Sequence, residues 1–450
     1  MKHSLLLGLV GFSTFTVQGQ HLVLDPTFNA GSGFTAAGVE ALAVQADGRI
    51  LCGGGFTAYN GTPRFNIARL LADGALDTGF APVIEDTLAD GVLDLLVMPD
   101  GRIVMAGEYE VVDGFPCGGL VRLQPNGTVD GGYGSTNGAL LFSLALTPGG
   151  ELFVGGYYES PFGATLRVFN GGGLAVYTGY DATPFVLKTQ PDGLIVAGTN
   201  TAPTVVVRYL ANGQLDPTFT SDVTGTWALV RDLTVLPDGR IVIVGDFDAV
   251  DGQPRANIAR LMPDGSLDAT FDPGSGFDAV GVAVEVMPSG SLLVGTYSST
   301  YDGAPLQGGL VQLYPDGQLD TSYQVTEVNE IHVLQDGRVL IAGIGTIFGN
   351  SLNTGIHRLM PEISTAVPAD GAPPPPFTVH VDHAGALVVT SGGGNAELRL
   401  FDAAGREVRR FTTTEQVERI GLSGIGTGVF VAMRVDARGV RQWQRFFVAD

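Results

Sequence analysis

A block of sixteen residues recurs seven times in this chain, and no other feature constrains its fold as strongly. It reads ALAVQADGRILCGGGF at 41–56, DLLVMPDGRIVMAGEY at 94–109, SLALTPGGELFVGGYY at 143–158 and VLKTQPDGLIVAGTNT at 186–201. The set is completed by DLTVLPDGRIVIVGDF at 232–247, AVEVMPSGSLLVGTYS at 283–298 and EIHVLQDGRVLIAGIG at 330–345. The glycine column Gly48, Gly101, Gly150, Gly193, Gly239, Gly290 and Gly337 has spacings of 53, 49, 43, 46, 51 and 47 residues. Repeats of that period build propeller blades.

Each block has the chemistry of a β-hairpin. Its Asp-Gly, Gly-Gly or Ser-Gly pair supplies positive φ at the turn. The strand before the turn alternates with period two. One side carries Leu42/Val44, Leu95/Val97, Leu144/Leu146, Leu187/Thr189, Leu233/Val235, Val284/Val286 and Ile331/Val333, apolar except for Thr189, which makes it a core face. The strand after the turn, as in Ile241-Val242-Ile243-Val244, is continuously apolar, the pattern of a strand buried on both faces.

A looser second block follows in most repeats, as in GTPRFNIARLLADGALDTGF at 61–80 and GQPRANIARLMPDGSLDATF at 252–271. Again it reads as strand, turn and short strand, so two hairpins give each repeat a four-stranded sheet. The seventh repeat stops at HRLMP (357–361) without its LDxxF tail, and that tail stands instead near the N-terminus, as LDPTF at 24–28. The expectation is an all-β chain: a seven-bladed β-propeller over 20–362 whose seventh blade takes its outer strand from the N-terminal segment. Arg69, Arg122, Arg208 and Arg260 each lie eight residues before Asp77, Asp130, Asp216 and Asp268, which predicts a cross-strand ion pair in each outer hairpin. By the same rule Arg358 should meet Asp25, while Gln312 and the third repeat break the pattern.

The flanks read as addresses. Lys2 and His3 precede an apolar run from Leu5 to Phe15, and Val17 and Gly19 occupy the small-residue positions of a cut before Gln20, the pattern of a secretory signal peptide over 1–19. No later apolar run approaches a membrane helix in length. A Pro-rich linker over 363–376 ends the repeats. Beyond it, 377–450 has no Lys and reads as the short strands FTVHV, ALVVT, AELRLFD, REVRRF, VERIGL, GVFVAMRVD and RQWQRFFV, a small β-sandwich. Cys52 and Cys117 are the only cysteines. Export permits a disulfide, but one pair in so long a chain is no framework, and the plainer reading is two separate small residues.

Two resemblances follow from these residues. The repeats over about 24–361 resemble the delta-60 repeat family, whose copies run strand, PDG, strand with Gly-Gly and Phe, loop, IARL, DG, LDxxF. That family brings a fold and no catalytic motif. The C-terminal segment resembles the type A sorting domain of the type IX secretion system of Bacteroidetes, through Glu397–Arg410 (ELRLFDAAGREVRR), Leu422–Val431 (LSGIGTGVFV) and the ending Arg445-Phe446-Phe447-Val448. The usual opening Pro-Asn-Pro is absent, and Ala449-Asp450 end the chain where basic residues are common. The resemblance implies passage across the periplasm to the outer cell surface or medium, with the secretion machinery as a partner of 377–450.

Candidate chemistry is sparse. With 46 acidic against 24 basic residues the net charge is −22, which argues against nucleic acid and against an electrostatic grip on anionic membranes. Asp246, Asp248 and Asp251 cluster before Gly252 but lack the spacing of a calcium loop. No nucleophile elbow, zinc spacing or phosphate loop appears, so no cofactor or metal is expected. The blades differ on the remaining face of the first strand, which lines the channel of a propeller. One column there holds Ala41, Asp94, Ser143, Val186, Asp232, Ala283 and Glu330; the next holds Ala43, Leu96, Ala145, Lys188, Thr234, Glu285 and His332. Asp94, Asp232, Glu285, Glu330 and His332 are therefore the candidate binding residues, set against the plainer reading of a solvated channel wall. The functional expectation is a secreted or surface binding or adhesion scaffold with a glycan or protein ligand. The alternative is a glycan-active hydrolase or lyase working in the channel.

Overall fold

The computed structural model describes residues 21–362, apart from 86, 132–138, 159–162, 171–172, 180–182, 201–204 and 344–354, and the seven strands between 377 and 448. The signal-peptide and linker assignments lie outside the described residues. Among those described, every regular element is a β-strand, and no helix is long and apolar enough to cross a membrane. The chain divides into two compact units, one ending at Glu362 and the other beginning at Ile363.

In the first unit each recurring block forms its own antiparallel sheet. The inner strands are Phe34–Val44, Thr87–Val97, Ala139–Leu146, Val186–Thr189, Leu229–Val235, Gly281–Val286 and Glu330–Val333. Each pairs with the strand after its turn, and that strand pairs with the IARL-type strand, as Leu229–Val235 pairs with Ile241–Asp246 and this in turn with Ile258–Leu261. The inner strands lie side by side in chain order, and the seventh also lies beside the first.

The turn glycines all have positive φ, from 81° at Gly48 to 90° at Gly150. The preceding Asp does not share this conformation. In the fifth repeat the turn closes through the Gly239 N–H to the Leu236 carbonyl at 2.9 Å, and Asp238 Oδ1 accepts the Arg240 N–H at 3.1 Å. The loop is thus a three-residue hairpin loop with one left-handed glycine, not a two-residue turn with two positive-φ residues.

Apolar packing explains the continuous second strands. Ile241, Val242, Ile243 and Val244 are all fully buried. Ile241 and Ile243 pack toward Val196 and Val230 on one side, while Val242 and Val244 pack toward Val284 and Val294 on the other. Each sheet is therefore covered on both faces by its neighbours. Cys52 and Cys117 form no disulfide, and both are buried in these layers.

The expected fourth strand is mostly reduced to a single bridge, as Leu70↔Leu76, Leu123↔Val129, Tyr209↔Leu215 and Leu261↔Leu267. It is a full strand in the third repeat, Gly173–Gly179, and in the sixth, Leu319–Tyr323. In the seventh sheet the outer position is taken by the N-terminal strand Leu22–Leu24, paired with Leu359, Met360 and Pro361.

The predicted arginine–aspartate pairs all form. Arg Nε or Nη2 lies 2.9 Å from Asp in Arg69–Asp77, 2.6 Å in Arg122–Asp130, and 2.7 Å in Arg208–Asp216, Arg260–Asp268 and Arg358–Asp25. Gln312 keeps the contact as a neutral donor, with Nε2 at 2.8 Å from Asp320 Oδ2. The motif's Phe lies under the guanidinium, at 4.4 Å for Arg69 over Phe80 and 5.0 Å for Arg260 over Phe271. Four of these arginines also donate to a carbonyl in the outer turn of the following repeat: Arg69 to Pro125, Arg208 to Pro263, Arg260 to Pro315, and Arg358 to Ala72 of the first.

The second unit has two antiparallel sheets. One orders Phe377–Val381, Ala386–Ser391 and Val417–Gly421; the other orders Glu407–Thr413, Ala396–Phe401, Gly428–Asp436 and Arg441–Val448.

Candidate functional site

The residue immediately before each sixteen-residue block sits on a β-bulge. On the inner strand of the fifth repeat Val230 faces Gly245 and Asp232 faces Val244, so Arg231 is the extra residue. Glu40, Leu93, Phe142 and Val282 are skipped in the same way in the first, second, third and sixth repeats. In the fourth and seventh, Phe185 N donates to Gly198 O and Asn329 N to Ala342 O, the carbonyls of the residues that already face Val186 and Glu330. A bulge bends its strand and re-aims the side chain it carries. All seven residues line one cup of about 290 Å³, together with Leu229 and Tyr297.

A glycine on the second strand lets the bulge form. Gly54, Gly107, Gly156, Gly245 and Gly343 each lie against a carbonyl of the inner strand two residues before the bulged one. A Cβ at Gly245 would stand 2.0 Å from the Leu229 oxygen, and at Gly54 2.3 Å from that of Gly38. Thr296 occupies this position in the sixth repeat, and its Oγ1 donates to the Val280 carbonyl at 2.9 Å.

Aromatic rings dominate one side of the cup. Phe142 and Phe185 stack with centroids 4.8 Å apart at 27°, and Tyr157 meets Phe142 edge-on at 6.2 Å. Tyr297 OH and Asn329 Oδ1 lie 3.3 Å apart. Arg231 and Glu40 add one charge of each sign, both exposed. Trp227, two residues before Leu229 in the chain, keeps 79% of its surface exposed.

The expected channel residues form a second layer. Asp94 accepts from the backbone N–H of Leu95 and of Leu144 in the next inner strand, both at 2.7 Å. Asp232 repeats the arrangement with Leu233 and Val284 at 2.8 Å. Ser143 does likewise, its Oγ accepting from Leu187 N at 2.9 Å. The two aspartates are thus occupied in joining neighbouring sheets. The alanines of the two columns, and Val186, are buried in the core and do not face solvent.

Lys188 is the residue that the sequence-based list omitted. Its Nζ lies 3.9 Å from Glu285 Oε1, and Thr234 Oγ1 lies 3.4 Å from Glu285 Oε2. Burial works to lower the Lys188 pKa, but the carboxylates of Asp232, Glu285, Glu330 and Asp94 raise it above the ordinary lysine value. Burial likewise pushes Asp94 up to about 6, against its backbone donors and Lys188, and raises Asp232, Glu285 and, most strongly, Glu330. Burial and Lys188 hold His332 down to about 4. The five candidates and Lys188 therefore share one electrostatic neighbourhood, while 39% of the Lys188 side chain stays exposed to solvent that screens it. Asp251, from the acidic run near Gly252, accepts the N–H of Asp222 and of Leu267 at 3.1 and 2.7 Å. Among the described residues, no group of three or more His, Cys, Asp or Glu side chains is placed to hold a metal ion.

Comparison with known proteins identifies the repeats. Residues 45–80, 99–133, 190–219, 236–271 and 288–323 match the family described as a domain of unknown function (DUF5122) beta-propeller. Five stretches of the chain, together less than half of its residues, thus match β-propeller repeats of that description. Its third and seventh repeats lie outside the matched stretches. No curated protein matches the sequence. Among solved structures, a streptogramin B lyase aligns with TM-score 0.50 and 13% identity, over 75% of this chain and 97% of that one. This likeness shows a propeller fold alone. The extracellular domain of a one-component system from B. thetaiotaomicron aligns at 0.45 and 10%, over 93% of this chain and 57% of its own. PorZ, a surface component of the type-IX secretion system of Porphyromonas gingivalis, aligns at 0.28 and 12%, over 92% and 81%.

Proposed function

We propose that residues 20–362 form a seven-bladed propeller, closed by the N-terminal strand, that acts as a secreted or cell-surface binding scaffold. The observation that carries this reading is the cup. Seven equivalent positions contribute Glu, Leu, Phe, Phe, Arg, Val and Asn to one concavity, while turn glycines and arginine–aspartate pairs recur around it. Repeats alike in scaffold and unlike at one rim are suited to recognising a ligand. The pairing of Leu22–Leu24 with the last sheet supports closure. The alternative, a hydrolase or lyase in the channel, is weakened because Asp94 and Asp232 spend their carboxylates on backbone N–H groups.

Export is the second part of the proposal: a signal peptide over 1–19, a linker over 363–376, and 377–450 read by the type IX machinery and removed near the linker. Support comes from the sequence resemblance of 377–450. In the native host, a chain lacking 377–450 is expected to accumulate folded in the periplasm. A fluorescent reporter carrying a signal peptide and 377–450 should appear outside the cell. Surface display of the truncated chain, or a periplasmic reporter, overturns the route. For the binding role, purified 20–362 is to be screened against surface proteins and charged and neutral glycans. Silence in every panel overturns that role.

A further inference from the structure

We infer that the cup at the start of the inner strands, not the carboxylate cluster, is the ligand site, and that it takes a sugar ring of a neutral polysaccharide. This deepens the binding reading above and rests on it. The stacked Phe142–Phe185 pair supplies an apolar wall. Tyr297 and Asn329 present a phenol and an amide, and Arg231 and Glu40 a donor and an acceptor of opposite charge. A pyranose has the matching chemistry: a face of C–H bonds that packs on aromatic rings, and hydroxyls that both donate and accept. Its lack of net charge fits as well. An anion entering the cup would meet Glu40 and, in the second layer, four carboxylates against one lysine, on a chain of net charge −22. That layer would not repel a cation, so charge argues against anions alone, and the aromatic wall with its mixed donors and acceptors carries the choice of a sugar.

The volume of about 290 Å³ lies at the lower end for ligand pockets, which suits a ring or two and not a folded partner. Trp227 stands two residues before the cup-lining Leu229 and is largely bare. An exposed Trp so close along the chain to a cup-lining residue can offer a second stacking platform for the next ring of a polysaccharide.

The test is affinity electrophoresis of residues 20–450 in gels containing a soluble β-glucan, a xyloglucan, a galactomannan or a polyuronate, with bovine albumin as the unretarded standard. Retardation by at least one neutral polymer and not by the polyuronate is expected. Tyr297→Ala and Trp227→Ala, both at exposed positions, should weaken it about tenfold or more. Glu330→Gln should leave it unchanged. Far-UV circular dichroism of each variant separates loss of binding from loss of fold. Retardation by the polyuronate alone overturns the inference, and so does retardation that survives both aromatic substitutions. If no gel retards the protein while the screen of surface proteins finds a partner, the cup inference fails and the binding role stands.

Discussion

At the scale of single side chains, the arginine of the outer hairpin holds three things at once: the aspartate eight residues on, the phenylalanine beneath it, and a carbonyl of the following repeat. Arg260 and Asp268 are both nearly fully buried. Removing one partner of such a pair strands the other charge, so Asp268→Ala should cost roughly 3–5 kcal/mol. Arg260→Gln should cost less, because Gln312 already meets Asp320 in the sixth sheet as a neutral donor. Urea midpoints of the two variants should fall in that order; the reverse order means the arginine's charge, and not its hydrogen bond, is what the aspartate requires. These pairs were legible because both members recur at fixed spacing. Lys188 was not, because its importance lies in carboxylates brought from four other repeats, and no spacing along the chain encodes that meeting.

The inner strand is where sequence and structure part. Its alternation sets the buried Leu233 apart from Asp232, which bonds to backbone N–H groups, but Ala41, Ala43, Ala145, Val186 and Ala283 of the expected channel columns are buried in the core as well. Strict alternation also assigns Arg231 to the face of Leu233. The bulge adds one residue and breaks the period there, so the third ring of side chains, the one that lines the cup, is invisible to a period-two reading. A signal for it was present in the glycine at position fourteen of five blocks. Read as ordinary strand glycine it says little; read as a site of close backbone approach it marks a bulge opposite. Gly245→Ala forces a methyl onto the Leu229 carbonyl, and such overpacking should cost about 1–3 kcal/mol. Gly245→Thr should be tolerated better if its hydroxyl copies the bond made by Thr296. Equal urea midpoints for wild type and Gly245→Ala would show that the inner strand can relax away.

For the molecule as a whole, two sets of carboxyls pull stability in opposite directions with pH. Asp94, Asp232, Glu285 and Glu330 have raised pKa values, so the folded chain takes up their protons before the unfolded chain does. Stability should therefore rise as pH falls from 7, less a counter-effect from His332, which resists the proton that an unfolded histidine accepts. Asp25, Asp216 and Asp268 are held below the ordinary value by Thr27, Thr218, Thr270 and the paired arginines, although burial opposes this. Their contribution is present above about pH 4 and is lost as pH falls through their folded values. The melting temperature should peak at about pH 5, and Glu330→Gln should flatten the rise between 7 and 5. A melting temperature that only declines below pH 7 would mean solvent screens the cluster fully. Deleting Leu22–Phe28 should lower the melting temperature sharply or yield aggregate, because it bares the edge Ile356–Pro361 and strands the buried Arg358.

That N-terminal strand also sets an order of events. Its partner, Leu359–Pro361, is the last part of the repeats to be synthesised. At ribosomal speeds of about 5–20 residues per second, the two meet only after a delay on the order of tens of seconds. Until then Leu22–Leu24 lacks the strand it pairs with. Under the export proposed above, a latch whose halves lie some 335 residues apart would leave the chain time to be threaded through a membrane before the last sheet is completed.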